Sequence, residues 1–460
     1  MSFIRIRRTA VVLSASALTL GALSAGVAIG TQGASASGYT PGVNAHSVTI
    51  GATVPLSGIA SGYAEVSAAA ASVFDYVNSH GGINGRRINF VRKDDCYNIN
   101  ALGCTANVGN TPTLTQTQKL VTQNKVFADV GSLGTAAQDS VLAYMNQNHV
   151  PDLFVASGSS DWNQPQKYPY LFGYQASYKA EGKLFAKWIE TNKKHAVVGV
   201  IGQGDDFGAN GLAGLLAGHL TIASKDRFTY SPTDGVTGNF SDITQALINL
   251  KNDNASVVVL DSIPPLSSYI LAAAAKLSFH PQWVISSVGS DPSSVNNPYE
   301  AGAITSDPYP AANNKTNPWN GWLRKIIKSD PTAHADFKNY FSGHFAGYLD
   351  GNMVYGASYA VAFCEALQSL GKNVTRPGLM KAMVSVKFAT PSLTPLSYST
   401  GDHQGLQGGS LARIVANANP TMSPQFAQLL GNAELTTGDF ANTSITFHKQ
   451  VVTPIPKFLK

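Results

Sequence analysis

Charged side chains are scarce in this chain. Asp, Glu, Lys and Arg make up 13% of its 460 residues, about half of the roughly 25% that is usual in soluble proteins. The formal net charge is +5, and the 32 basic residues are scattered among 27 acidic ones. Because no basic stripe is available to neutralise phosphates, nucleic-acid binding is disfavoured, and nothing indicates a protein of the membrane surface.

Sequence signatures of catalysis are also missing. The chain has no G-x-S-x-G elbow, no H-E-x-x-H motif and no P-loop, and no predicted strand–helix turn carries a dinucleotide-binding fingerprint. The ten histidines show no metal-ligand spacing. We therefore expect no catalytic residues, no metal and no cofactor. A hidden Ser/His/Asp triad stays open as an alternative, because these residues occur in any chain of this length.

The first 36 residues have the organisation of an export signal. Three arginines and no acidic residue lie within 1–9, an apolar stretch follows at 10–29, and Ala34-Ser35-Ala36 forms an A-x-A cleavage signature. The apolar stretch is long enough to span a membrane, but its glycines and hydroxyl residues weaken that reading. We predict a signal peptide over 1–36 and a mature chain outside the cytoplasm, with the general or the twin-arginine route left open.

Cysteine is rare, with three residues in the whole chain. Cys96 and Cys104 are eight residues apart in a polar stretch, and in an exported protein we expect them to pair. Two free thiols or half of a metal site are the alternatives. Cys364 falls on an apolar helical stripe and is expected to be a buried thiol. No cysteine lies near the predicted cleavage point, so no lipid anchor is expected.

Strand and helix patterns alternate along most of the chain. Buried strands are predicted at 47–54, 87–92, 126–130, 152–155, 196–201, 256–260 and 283–286, with helices of about 10–17 residues between most of them. This alternation is typical of parallel α/β sheets covered on both faces, and its two cycles predict two lobes. Residues 306–335 are expected to be rich in loops, and 421–460 to be a C-terminal extension.

Hydroxyl residues cluster where the predicted strands end, which is where ligands bind in such sheets. Ser57 follows the first strand, Thr135 follows the third, and Ser159 and Ser160 follow the fourth. Hydroxyls and free N–H groups at helix N-termini suit a carboxylate or another anion. Ordinary helix capping is the alternative explanation. Tyr63, beyond the first strand, and Phe207, just past the fifth, add aromatic walls.

Several stretches together indicate a known family. They are VTIGATVPLSG, FDYVNSHGGINGRRI, RKDDC, FADVGSLGTAAQ, NHVPDLFVASGSSD, AVVGVIGQGDDFGANGL and LSYSTGDHQGLQGG. With them the chain resembles the solute-binding proteins of branched-chain amino acid-type ABC importers, the leucine/isoleucine/valine-binding protein group. The resemblance implies a type I periplasmic-binding fold of two doubly wound α/β lobes joined by a three-crossover hinge. Lobe one is expected at 37–173 and 309–400, and lobe two at 174–308 and 401–420.

The same resemblance implies a ligand site. Thr135 and Ser160 would hold a carboxylate, with backbone groups around Leu133 and Ser159. Tyr63 would form a wall from lobe one, and Phe207 would supply the aromatic wall of lobe two.

The acidic partner of a ligand α-ammonium is not evident at the expected place. Ser287 stands at or near that position, and Asp261 is a possible substitute. An unpaired buried ammonium is costly, so a neutral or anionic ligand is indicated.

The function that the resemblance implies is solute binding for an ABC importer, without catalysis. The partners are a small polar ligand (amino acid-like, amide or carboxylate) and an ABC permease, and the protein is expected to be a monomer. A sensor that presents its ligand to a membrane receptor is the second hypothesis. A secreted hydrolase is the third, and it would need a nucleophile and a base in the cleft.

Overall fold

Strands followed by helices build the fold in the computed structural model, which describes residues 40–100, 103–106, 109, 111–312, 314–331, 349–416, 427–429, 434–435, 446–447 and 452–459. The strands are β1 (Ser47–Val54), β2 (Arg87–Asp94), β3 (Asp129–Val130), β4 (Asp152–Val155), β5 (Leu171–Gly173), β6 (Val198–Gln203), β7 (Arg227–Tyr230), β8 (Val257–Asp261), β9 (Gln282–Ile285), β10 (Ile304–Asp307), β11 (Leu396–Ser399), β12 (Asp402–Leu406), β13 (Gly408–Ile414), β14 (Ala427–Leu429), β15 (Glu434–Leu435) and β16 (Thr446–Phe447).

Helices connect these strands. The α-helices are α1 (Ala64–Ser79), α2 (Pro112–Thr122), α3 (Thr135–Asp139), α4 (Leu142–Gln147), α5 (Tyr178–Asn192), α6 (Asp206–Ala217), α7 (Asp234–Thr237), α8 (Ser241–Asn252), α9 (Pro264–Lys276), α10 (Pro292–Val295), α11 (Pro318–Ser329), α12 (Gly351–Ser369) and α13 (Arg376–Met383). Short 3₁₀ helices lie at Ser61–Tyr63, Cys96–Asn98, Ser160–Asn163, Ser224–Asp226, Pro298–Glu300 and Lys457–Leu459. None of the described helices is both long and apolar enough to cross a bilayer.

Two sheets confirm the predicted α/β class. The first has the order β2-β1-β3-β4-β5 and is parallel throughout. In the second, β7-β6-β8-β9-β10 are parallel and β13 joins antiparallel to β10. Central strands such as β8 are buried along their whole length, as parallel strands covered on both faces must be.

The chain therefore folds into two α/β lobes, one around each sheet. The proposed boundaries near 173, 308 and 400 stay a prediction. The predicted signal peptide at 1–36 and most of the predicted extension at 421–460 lie outside the described residues.

The prediction of a loop-rich segment over 306–335 was wrong for its central part. The structure places α11 there, beginning at Pro318 after the capping side chain of Asn317. Its apolar residues recur at helical spacing and are buried, namely Trp319, Leu323, Ile326 and Ile327. A proline at the first position and an asparagine cap are helix-start signals. In this segment they are easily mistaken for signs of a loop, because proline and asparagine are also common in loops.

Both cysteine predictions are confirmed. Cys96 and Cys104 form a disulfide, and Cys364 is a buried free thiol within α12. The disulfide loop is hydrogen-bonded to the loop after β1, because the amide of Gly58 donates to the carbonyl of Gly103 at 3.0 Å. The two loops therefore support each other at the end of the first sheet.

Close packing of α1 against α12 ties the late part of the chain to the first sheet. Gly356 of α12 lies so near α1 that a Cβ atom added to it would stand 1.8 Å from the backbone oxygen of Val66. Only glycine permits this approach. The contact brings together the N-terminal turns of both helices, since Glu65 and Asp350 are neighbours.

This packing gives a direct stability prediction. Gly356→Ala is expected to lower the free energy of unfolding by about 1–3 kcal/mol, because the helices must separate to admit the methyl group. Gly321→Ala is the matched control: Gly321 is exposed in α11 with nothing within 4 Å of an added Cβ. That change should stabilise by roughly 0.5–1 kcal/mol. Thermal unfolding would contradict the packing if Gly356→Ala were as stable as the wild type.

Candidate functional site

A cavity of about 130 Å³ lies where the carboxyl ends of the two sheets meet. The first sheet contributes residues that follow its strands: Tyr63, Tyr97, Leu133, Gly134, Thr135 and Ala156. The second contributes residues after β9 and within and after β10: Ser287, Val288, Ser290, Asp291, Thr305, Ser306 and Asp307. Residues of the later crossover complete the lining, among them Tyr309, Asp350, Asn352 and Tyr355. An engineered cavity of ~150 Å³ holds benzene, so this one suits a molecule of about that size.

Thr135 begins α3 on the lobe-one wall and is 2% exposed. Its hydroxyl lies 2.8 Å from that of Ser157 and 3.2 Å from that of Tyr178. Gly134, just before it, has φ of +110°, and an added Cβ would stand 2.8 Å from the ring of Tyr97. Glycine is required here both by the backbone conformation and by the close ring.

Tyr97 is a wall residue that sequence reasoning missed. It follows Cys96 of the disulfide, and both residues have positive φ, 50° and 60°. Such conformations persist in non-glycine residues only where the surroundings fix them. The disulfide fixes Cys96, and Asp95 caps the turn by accepting from the amide of Tyr97 at 3.1 Å.

Tyr63 joins the two walls directly. Its hydroxyl donates to the carbonyl oxygen of Val288 at 2.8 Å, and its side chain is 7% exposed. Burial raises the pKa of the Tyr63 phenol well above its usual value, so the donor keeps its proton at any physiological pH.

Ser287 lies on the lobe-two wall, supported from behind by α5. Glu181 accepts hydrogen bonds from the Ser287 amide, at 2.9 Å, and from the Ser306 hydroxyl. Burial raises the pKa of Glu181, and these two bonds lower it. Glu181 thus fixes the ends of two neighbouring strands.

Three of the other expected site residues are buried but do not line the cavity. Phe207 is 1% exposed and packs on Tyr178, with ring centroids 4.5 Å apart. Asp261 is 3% exposed, and burial raises its pKa well above the usual range. Ser159 is fully buried and caps the 3₁₀ helix by accepting from the amide of Asp161.

Two further expected residues hold loops and lobes together. Ser57 donates to Asp94 at 2.5 Å and accepts from the amide of Thr105, so it braces the disulfide loop. Ser160 binds Asn210 of α6 through its hydroxyl and its amide, which donates at 3.2 Å. Ser160 and Asn210 therefore form a second direct link between the lobes.

His403 lies in β12 and is 4% exposed. Its ring stacks on Phe172 with centroids 3.7 Å apart, and Nδ1 lies 2.8 Å from the carbonyl oxygen of Leu171. Burial lowers the pKa of His403 to about 4. The imidazole is therefore neutral at physiological pH, and His403 is not among the residues that line the cavity.

Three carboxyl groups also meet at the boundary of the lobes. Oxygens of Asp139, Asp161 and Asp206 all lie within 4.8 Å of one another. Burial and the neighbouring carboxylates raise the pKa of Asp139 to about 8, and a bond with Asp161 and burial raise that of Asp206 to about 6. Like charges brought this close oppose the contact between the lobes.

The carboxylates that line the cavity were missed from the sequence. Asp307 ends β10, whose sequence ITSD has a single apolar residue, and Asp350 caps α12 by accepting from the amide of Met353. The capping position of Asp350 before a long helical pattern was a usable signal. The position of Asp350 beside the cavity could not be predicted, because it depends on the packing of α12 against α1.

Comparisons with known proteins agree with this architecture. The profile described as "Periplasmic binding protein" matches residues 47–419. No curated protein matches the chain by sequence.

Solved structures share the fold at low sequence identity. A possible leucine/isoleucine/valine-binding protein from Rhodopirellula baltica SH 1 has a TM-score of 0.67 at 17% identity, over 86% of this chain and 98% of that one. A branched chain amino acid ABC transporter protein from Thermus thermophilus with bound valine has a TM-score of 0.68 at 17% sequence identity, over 85% of this chain and 97% of that one. A fatty acid ABC transporter substrate-binding protein from Thermomonospora curvata has a TM-score of 0.69 at 16% sequence identity, over 88% of this chain and 97% of that one. The chain belongs to the periplasmic binding protein family, in the type I fold of ABC-transporter solute-binding proteins.

Proposed function

We propose that this protein binds a small polar molecule in the cavity between its lobes and delivers it to an ABC permease. The observation that carries the proposal is the cavity itself, which both sheets line at their carboxyl ends. Ligands bind at that edge of open α/β sheets. Family membership implies an extracytoplasmic location, and we propose that residues 1–36 direct export and are removed.

The lining favours binding over catalysis. Among the described residues that line the cavity, no histidine or cysteine accompanies the hydroxyls of Thr135, Ser287 and Ser290. A serine or threonine nucleophile needs a base within hydrogen-bond reach, and Thr135 instead contacts two other hydroxyls. Ser306 does donate to Glu181, but that carboxylate also accepts from the amide of Ser287 and so fixes the ends of two neighbouring strands. We propose Tyr63, Leu133, Thr135 and Ser287 as residues that contact the ligand.

The remaining expected residues support the site rather than line it. We propose that Ser160 acts through the link to Asn210, and Phe207 through its contact with Tyr178. Ser57, Ser159 and Asp261 would hold the surrounding loops and strands in place.

Ligand binding is tested by a thermal-shift screen of residues 37–460 against amines, amino acids, amides, carboxylates and sugars. A ligand at ~100 times its dissociation constant adds about 2.7 kcal/mol, so a shift of several degrees is expected for one chemical class. Ala312→Trp, which fills the cavity from its lining, should abolish that shift.

The matched control is Ala223→Trp, at an exposed position in lobe two. It should bind as the wild type does. A shift that survives in Ala312→Trp would place the ligand elsewhere and contradict the proposal.

Contacts between the lobes predict how closure responds to substitution. Asn210→Ala removes the acceptor of both bonds from Ser160 and should shift the protein toward an open form. Asp206→Asn should do the opposite, because it relieves repulsion with Asp139 and Asp161. The radius of gyration from small-angle scattering measures both effects.

The three carboxyl groups of Asp139, Asp161 and Asp206 also predict how closure of the lobes depends on pH. Burial and nearby carboxylates, some of them across the lobe boundary, raise the pKa of Asp139, and a bond with Asp161 and burial raise that of Asp206. A form with the lobes in contact should therefore bind protons more tightly than an open form and be favoured as pH falls from about 8 to 5. Asp242→Asn, an exposed acid on α8, is the charge control. Equal radii for all three variants over this pH range would contradict the assignment.

Delivery to a permease needs its own test. When candidate ABC permease and ATPase subunits from the same organism are reconstituted in liposomes, the ligand-loaded protein is expected to raise ATP hydrolysis several-fold over the ligand-free protein for the cognate pair. No stimulation with ligand bound would leave binding intact and contradict delivery.

A further inference from the structure

Hydroxyl groups that line the cavity already have hydrogen-bond partners within the protein. Tyr355 donates to the side-chain oxygen of Gln175 at 3.1 Å. The hydroxyl oxygens of Ser290 and Thr305 lie 2.6 Å apart, and that of Thr135 lies within hydrogen-bond distance of two other hydroxyls. Because the burial of these groups is already compensated by bonds within the protein, none of them needs a ligand as its partner.

The wall of lobe two is bonded in the same way. Glu181 accepts from the Ser287 amide at 2.9 Å and from the Ser306 hydroxyl. Tyr309, which follows β10, is hydrogen-bonded to Tyr174. These bonds tie the polar atoms of the wall to the protein itself.

The three carboxyl groups of the lining, those of Asp291, Asp307 and Asp350, are engaged as well. Each accepts from backbone amides at 2.8–3.2 Å; the donors are Ser294 and Gly351 for Asp291, Tyr309 for Asp307, and Met353 for Asp350. Asp350 is also hydrogen-bonded to Glu65, and both Asp291 and Asp350 have further interactions within the protein. Burial raises the pKa of Asp307 to about 7, so a large fraction of this group is uncharged at neutral pH.

A charged ligand would find no matching partner in this lining. The described residues that form it include no lysine, arginine or histidine, so a carboxylate would meet acids and no cation. An ammonium group would have to compete with the partners that Asp291 and Asp350 already have. Because taking an ion out of water is costly unless the ion is fully paired, neither sign of charge is favoured.

Carbon atoms form the rest of the lining. Five tyrosine rings contribute to it, and two of them, Tyr309 and Tyr355, pack with their centroids 5.7 Å apart. Apolar side chains from both lobes and from the later crossover complete it, among them Val66, Leu133, Ala156, Val288 and Pro308. Contact between carbon surfaces is therefore the main source of affinity that this cavity offers.

We propose that the cavity takes an uncharged small molecule with an apolar carbon skeleton and no more than a single amide or hydroxyl group. This inference rests on the proposed binding function and names its ligand class. Paired hydroxyls such as those of Ser290 and Thr305 can still accept a further hydrogen bond, which suits the one polar group of such a ligand. The cavity volume of about 130 Å³ limits the compound to roughly the size of benzene, which a cavity of ~150 Å³ accommodates.

The hydroxyls expected from the sequence to bind a carboxylate are engaged within the protein. Thr135 contacts two other hydroxyls, and Ser160 is bonded to Asn210. The sequence alone, with Ser287 where an acid is expected, is compatible with a neutral or an anionic ligand. Of these two, only the neutral ligand needs no cation in the wall.

Compounds of one shape separate the charge of the ligand from its size. They are isobutyramide, which is neutral, isobutyrate, which is an anion, and isobutyramidinium, which is a cation. All of them share one branched skeleton and have as many non-hydrogen atoms as benzene. Calorimetry on residues 37–460 at neutral pH is expected to show that the amide binds at least roughly tenfold more tightly than either ion. Equal or tighter binding of isobutyrate or isobutyramidinium would overturn the proposal.

A substitution in the apolar wall tests the contact with carbon. Val288→Thr keeps the shape of a side chain that lines the cavity and replaces a methyl group with a hydroxyl. Because this hydroxyl loses its water when the ligand enters, isobutyramide should bind roughly fivefold or more weakly.

The matched control is Val197→Thr. Val197 is 39% exposed and is not among the residues that line the cavity, so the same exchange there should leave the affinity for isobutyramide as in the wild type. Wild-type affinity in Val288→Thr as well would overturn the apolar contact on which the proposal depends.

Failure of this inference differs from failure of the proposed function. A thermal shift confined to amides or other uncharged compounds supports both. If the wider screen finds only an ion, a zwitterion or a sugar, whose binding Ala312→Trp abolishes, the binding function stands and the uncharged, apolar ligand class is wrong. If no compound of any class binds the folded protein, both are wrong.

Discussion

The packing of α1 against α12 is the contact on which the site depends. The two helices are far apart in the sequence, and Gly356 allows their backbones to touch at Val66. Tyr63 directly precedes α1 and Asp350 directly precedes α12. A single interface therefore positions a tyrosine and a carboxylate of the cavity at once. The same contact carries Tyr355, one residue before Gly356, to the lining.

The second lobe is held together by another close approach, between α5 and α6. An added Cβ on Gly182 would stand 2.5 Å from the backbone oxygen of Gly211, and one on Gly214 would stand 2.3 Å from that of Lys179. Because the helices touch through their backbones, Glu181 on α5 and Asn210 on α6 keep a fixed spacing. The wall residues that Glu181 supports and the link from Asn210 to lobe one thus belong to one rigid body.

Much of this architecture could be predicted from the sequence, because the buried strands of a parallel α/β fold appear in it as continuous apolar runs. β1 and β4 were predicted to the residue, since SVTIGATV and DLFV are bounded by turns. β5 was missed because three residues carry too little pattern, and β10 was missed because only one residue of ITSD is apolar. α11 was missed because its start signals, Asn317 and Pro318, lie in a segment rich in both residue types.

The site was less predictable for a physical reason. Residues that follow strands, such as Tyr63 and Thr135, could be found because the strand ends are visible in the sequence. Asp307 and Asp350 could not, since their place beside the cavity comes from the crossover and the packing of α12. The resemblance directed attention to Ser287 as the place for an acid, whereas the acids that line this cavity stand on other segments.

The disulfide has a consequence for when the site is assembled during the life of the chain. Cys96 precedes Tyr97, a ring of the cavity wall, and the loop it closes is braced against Ser57 and Gly58. In a reducing compartment this loop loses its covalent closure, and the backbone before Tyr97 loses one of its constraints. Under the proposed function, the chain should bind its ligand less tightly before the disulfide forms than after it. Binding would then be strongest on the oxidising side of the membrane.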